Sequence, residues 1–325
     1  LYYEELHDVK INVANPSYLL GGYTKSITNC ANASWDYKLN GIVVDSINGN
    51  TKCDLSLTPK TPNNEELLTT IVNNKATRNE NGKRYQGKNP DNYIWFNDEL
   101  WRIIGNIPVC LESGCSTTEN RVKIIRNYSI GISGYGMTSL KWEYNNVRLL
   151  LNACYLGKAS SCGNYCNGSM GSNSLGNCDY SSNGIDANDF YGKMVEDVYF
   201  NIGEANVDST EETSTIFYNK EIATHTTETY KIGLMYASDF GYATENYNGV
   251  LGTQSLADKN WLFLYRYDWT MTVINNNNVY YISALSGCLK SSAATGDIRP
   301  ALYLKPNVYV LSGTGTKQDP YIIGV

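Results

Sequence analysis

The chain has 325 residues, enough for one large domain or two smaller ones. Only 18% of them are charged, and the net charge of −6 leaves no basic stripe to neutralise phosphates, which argues against a nucleic-acid partner. The polar surface must come instead from Asn, at about one position in eight, and from 27 Tyr against 6 Phe.

Residues 1–60 read as a small β-sandwich-like module. "YKLNGIVVDSINGNTKCDLSLT" alternates apolar and polar residues and carries "NGN" as turn chemistry. Residues 61–92 read as a helix and a connector. Thr61 with Pro62 starts "NNEELLTTIVNN", whose Leu67, Leu68, Ile71 and Val72 share a face. "NNKATRNENGKRYQGKNPDN" is polar and turn-rich and reads as a connector or exposed loop.

Residues 93–325 read as one α+β domain. "NYIWFNDELWRIIGNI" predicts two strands joined at "ND" or "DE", and "RVKIIRNYSIG" a third. Trp142, Val147, Leu150, Leu151 and Cys154 recur at helical spacing, so "SLKWEYNNVRLLLNACYLGK" predicts an amphipathic helix. "SSCGNYCNGSMGSNSLGNCDYSSNG" is a long loop that needs stapling to be ordered. "DANDFYGKMVEDVYFNIG" reads as a second main helix, and short strands and turns follow. "MTVINNNNVYYISAL" predicts a hairpin with Asn at its tip. "IRPALYLK" predicts a buried strand. "NVYVLSG" and "PYIIGV" predict two more, joined by a Gly turn. Strands, then helices, then strands is an α+β order rather than an alternating βαβ series.

The nine cysteines point to disulfides and an oxidising compartment, because no CxxC pair exists and only two His accompany them. Cys30 with Cys53 and Cys110 with Cys115 are the expected local staples. Cys154, Cys162, Cys166 and Cys178 are the further candidates, and an odd count leaves at least one thiol over. A start at Leu1 rather than Met reads as processing. With no apolar run of about 18 residues, an exported, extracellular or cell-surface protein without a membrane span is expected.

Most apparent chemistry dissolves on inspection. "GTGTKQDP" has the wrong spacing for a phosphate loop and no following helix. "DYSSNGIDANDF" ends in Phe190 where an EF-hand requires Glu, leaving only an irregular calcium site near Asp179, Asp186 and Asp189 against a solvated loop. His7 and His225 lie in no nucleophile elbow, so no cofactor and no catalysis are expected. Trp95, Trp101 and Trp142 read as core. Tyr230, Tyr236, Tyr280 and Tyr281, and above all Tyr242, Tyr247, Tyr265, Tyr267 and Trp269, read as a recognition surface.

Five stretches resemble, in this order, a family of uncharacterised bacterial cell-surface proteins. They are "NGKRYQGKNPDNYIWFNDELWRIIG", "RVKIIRNYSIG", "KIGLMYASDFGYAT", "NWLFLYRYDWTMT" and "IRPALYLKPNVYVLSGTGTKQDPYIIG". The resemblance covers about residues 82–325. It implies a C-type-lectin-like domain of the kind also used by formylglycine-generating enzymes. Residues 1–60 resemble the small Cys-containing modules that precede such domains. Neither the reactive cysteine pair of those enzymes nor the "EPN", "QPD" and "WND" tripeptides of sugar-binding lectins occur here. Two functions are therefore expected. One is a structural or adhesive subunit that self-associates, as in a filament or sheath; the other is a non-catalytic module that binds glycans or proteins.

Overall fold

The computed structural model describes residues 7–12, 23–36, 41–47, 52–59, 66–136, 141–157, 180–181, 184–185, 190–206, 213–246, 258–263, 267–275, 278–283, 287–291 and 295–325. The chain is α+β: extended sheets carry the core, and short helices pack against them. Among the described residues no helix is long and apolar enough to cross a membrane.

In the N-terminal part, His7–Asn12, Gly41–Ile47 and Ala33–Asp36 form a three-stranded antiparallel sheet. Tyr23–Thr28 pairs separately with Asp54–Pro59. That ladder ends at Thr28 opposite Asp54, and Cys30 bonds to Cys53 just beyond it.

The larger part grows from one hairpin. Tyr93–Phe96 and Glu99–Val109 pair antiparallel through Asn97 and Asp98, whose φ values of 53° and 58° make the left-handed turn that matches strand twist. Glu119–Arg126 pairs on the far side of the long strand, and Ala301–Leu304 beyond it. Tyr321–Gly324 returns parallel to Tyr93–Phe96 and antiparallel to Tyr309–Ser312. The chain end is therefore architecture, as expected, with Gly313 (φ 97°) and Gly315 (φ 85°) in the turn. A second, five-stranded sheet runs in the order Ile132–Gly134, Thr295–Asp297, Tyr267–Asn275, Asn278–Ser283, Gly287–Ser291. Trp95, Trp101 and Trp142 are core.

Three expectations are corrected. The stretch read as a connector or exposed loop is built into the large sheet. Arg78–Asn79 and Lys83–Arg84 pair beside Glu99–Val109, Glu66–Leu67 pairs with Tyr309–Ser312, and Arg84 and Tyr85 are buried. Gly105 makes this possible: a Cβ there would lie 2.2 Å from the Lys83 carbonyl oxygen. The helix itself runs Leu68–Lys75 and buries Leu68 and Val72, while Leu67 is in the edge strand and exposed. Finally, "DANDFYGKMVEDVYFNIG" is no helix where it is described. Gly192–Met194 is one 3₁₀ turn, and the chain then extends to bridge Val195 with Leu304, Val198 with Tyr230 and Asn201 with His225. Strand partners supplied by distant segments override a weak helical period. The predicted helix near Trp142 is present, as the 3₁₀ turn Trp142–Tyr144 followed by continuous helix Asn146–Tyr155. Two helices the sequence reading missed are Ser214–Glu221 and Ala237–Ala243.

Candidate functional site

Lys123 sits in the middle of a strand between Val122 and Ile124, with no exposed surface of its own. A buried ammonium needs a partner, because burial penalises its charge. Its Nζ donates to Asp239 Oδ2 at 2.6 Å, and Arg84 Nη1 donates to Asp239 Oδ1 at 2.7 Å. Asp239 lies in the first turn of the helix Ala237–Ala243 and also accepts the Tyr236 backbone N–H at 2.9 Å. Burial pushes its carboxyl up, but Lys123 and Arg84 outweigh that and hold it below the ordinary carboxylate range.

Tyrosines complete the site. The Lys123 ammonium lies 4.1 Å from the Tyr236 ring centroid and 5.4 Å from that of Tyr303. The Arg84 guanidinium lies 4.5 Å from Tyr242 and 5.9 Å from Tyr218. The faces of these rings are negative, so the box stabilises cations without adding charge. Beside it Glu221, the last residue of Ser214–Glu221, accepts from the Ser238 hydroxyl and N–H and from Thr272 Oγ1. Hydroxyls only partly offset its burial, which pushes the carboxyl up to about 7. Outward, Tyr242 Oη accepts from Asn81 and donates to Thr215, and Thr215 donates to Glu80. Tyr242 is thus buried in this network and cannot act as the surface recognition residue its sequence context suggested. Tyr236 and Tyr280 are likewise buried.

A second buried cation, Arg102, is sandwiched between Tyr93 (4.2 Å) and Trp261 (4.5 Å) and donates to Asn92 at 2.8 Å. Near it Arg299 pairs with Asp268 at 3.1 Å and donates to the Leu262 carbonyl. Tyr is abundant in this chain partly because it lines buried charge.

The five-stranded sheet carries a different arrangement. Tyr135, Trp269, Tyr281 and Tyr267 form a ladder of rings with centroids 5.3, 5.7 and 5.5 Å apart in turn. Gly296 lies under it: a Cβ there would meet the Tyr267 carbonyl at 2.7 Å and the Trp269 ring at 2.9 Å. Trp269 is therefore an inner rung, buried and donating its Nε1–H to the Ser133 carbonyl, not a surface residue. Tyr281 is half-buried, and Tyr267 is the open end at 38% exposure. Of the five expected recognition residues, Tyr267 keeps the position predicted, and Tyr247 and Tyr265 lie outside the described residues.

Cys110 is bonded to Cys115, and Cys154 is also disulfide-bonded. Cys162, Cys166, Cys178, Asp179, Asp186 and Asp189 lie outside the described residues. The sequence offered one missed signal for the cation box, a lysine inside the apolar run "VKIIR". Comparison with protein-family models, with curated proteins and with solved structures finds no match to this chain.

Proposed function

We propose that the chain is a non-enzymatic adhesive module displayed at a bacterial surface, on the C-type-lectin-like frame its motifs resemble. Its contact patch is the open end of the aromatic ladder, at Tyr267 and Tyr281. The observation that carries this reading is the exposed Tyr267 ring held 5.5 Å from Tyr281, which packs on buried Trp269. A ring already fixed loses little rotamer entropy on binding. Its flat apolar face with a hydroxyl at the rim suits the C–H face of a sugar ring. The cystines at Cys30–Cys53 and Cys110–Cys115 support an oxidising location.

A glycan array with the whole chain tests it. Binding that is lost in Tyr267→Ala, with the melting temperature nearly unchanged, is expected. Binding that survives Tyr267→Ala overturns the patch, and no binding to any glycan removes the sugar-binding form. Homotypic assembly is the second reading, favoured by Leu67, which is 43% exposed on the edge strand Glu66–Leu67 of the large sheet. Size exclusion with light scattering decides it, because a stable monomer at high concentration excludes a filament or sheath subunit.

A further inference from the structure

Among the described residues, Cys110, Cys115 and His225 bring their sulfur and ring-nitrogen atoms within 4.8 Å of one another. Three separate chain segments build this cluster. Cys110 directly follows the strand Glu99–Val109 and is bridged to Tyr199, whose N–H donates to the Cys110 carbonyl at 3.0 Å. His225 is bridged to Asn201, two residues further along that same segment. Its neighbours fix it on both sides: Ile202 N–H donates to Thr224 and Thr226 N–H to Phe200. The imidazole makes no hydrogen bond among the described residues, so a ring nitrogen is available to a ligand.

Hydrogen bonds brace the Cys110–Cys115 turn alongside the sulfur bond. The Glu112 carboxylate accepts from Ser116 Oγ (2.5 Å), Thr117 Oγ1 (2.7 Å) and Thr117 N–H (2.9 Å). The Cys115 N–H donates to the Glu112 carbonyl at 3.1 Å. Reduction would leave two thiols side by side, on Cα atoms 5.3 Å apart, facing the His225 imidazole. Two thiolates and one imidazole are a zinc donor set, and tetrahedral Zn–S bonds of about 2.3 Å need sulfurs about 3.8 Å apart. Rotation about the Cα–Cβ bonds supplies that spacing.

We propose that Cys110, Cys115 and His225 form a redox-gated site for a thiophilic divalent cation such as Zn²⁺. In the oxidised chain the cystine occupies both sulfur ligands and the site is closed. A dithiol opens it: two electrons cleave the S–S bond, two protons give the thiols, and the dithiol leaves as its own disulfide. Zn²⁺ then displaces the two thiol protons and takes the His225 lone pair, with water in the fourth position. Bound metal ties the 110–115 loop to the His225 segment, a crosslink the cystine alone does not make.

The test uses Co²⁺ as a spectroscopic probe on the full chain, with Zn²⁺ in competition. Phosphine-reduced protein should show a thiolate-to-cobalt charge-transfer band that Zn²⁺ abolishes, and the oxidised protein should show none. His225→Ala leaves the cystine and its turn intact, so folding is preserved. It should weaken binding at least about tenfold, since even outer-shell partners of a metal site are worth that much. Cys110→Ser with Cys115→Ser should remove the band. A band of equal strength and affinity in either variant assigns it to other cysteines and overturns the proposal. Absence of any band in the reduced wild type does the same.

Discussion

Among the described residues Asp239 is the only carboxylate hydrogen-bonded to Lys123, and Asp239→Asn removes it while keeping its shape. Both partners are almost wholly buried, so no water replaces the lost charge. Lys123 must then either stay charged beside Arg84 or give up its proton. From an ordinary lysine value of about 10.4, deprotonation at pH 7 costs about 5 kcal/mol, which caps the loss. Breaking a buried pair by removing one partner typically costs about 3–5 kcal/mol, in agreement. At about 2 °C per kcal/mol for a chain of this size, the melting temperature should fall by roughly 6–10 °C. The pH dependence provides a sharper check. A lysine neutral when folded and charged when unfolded binds more protons in the unfolded state, so stability rises with pH. The deficit relative to wild type should therefore shrink by about 1.4 kcal/mol per pH unit above neutrality. Chemical denaturation of both proteins at pH 7, 8 and 9 measures this. Lys123→Met combined with Asp239→Asn should recover part of the loss, because no unpaired ammonium remains. A loss under about 1 kcal/mol would refute the view that Asp239 neutralises the box; a larger loss that does not vary with pH would refute deprotonation of Lys123.

Glu221 makes the wild type respond in the opposite sense. Its folded value, about 7, lies above the ordinary 4.5, so its contribution is complete below pH 4.5 and lost as pH rises to 7. That loss is worth about 3 kcal/mol, and Glu221→Gln should make a melting-temperature profile less steep across this window, the buried Asp268 carboxyl, also pushed up to about 7, supplying the slope that remains. On the acid side, Asp239 and Glu80 sit below their ordinary values, so acidification below pH 4 should destabilise the chain and leave maximal stability near pH 5. Gly296→Ala should cost about 1–3 kcal/mol by wedging a methyl between the Tyr267 backbone and the Trp269 ring, as read by urea denaturation. Trp269→Ala should cost about 3–5 kcal/mol, in contrast to the near-neutral effect of Tyr267→Ala; equal costs would contradict the ladder's inner and outer rungs.

Local features of this protein were legible in its residues. The Asn97–Asp98 hairpin, the paired strands after Tyr309 and the cystines Cys30–Cys53 and Cys110–Cys115 each depend on neighbours close along the chain. Alternation, left-handed turn chemistry and short Cys spacing encode them directly. The box around Asp239 was not legible, because Arg84 and Lys123 reach it across 155 and 116 positions. Arg84, taken alone, reads as an ordinary exposed residue, and the apolar neighbours of Lys123 signal its burial without naming its partner. The tyrosines show the same limit. Tyr242 and Tyr267 have the same chemistry, yet one covers a buried guanidinium and the other faces solvent. An amphipathic ring satisfies either environment, so composition announced many tyrosines, and only the packing of distant strands decided which face charge and which face water.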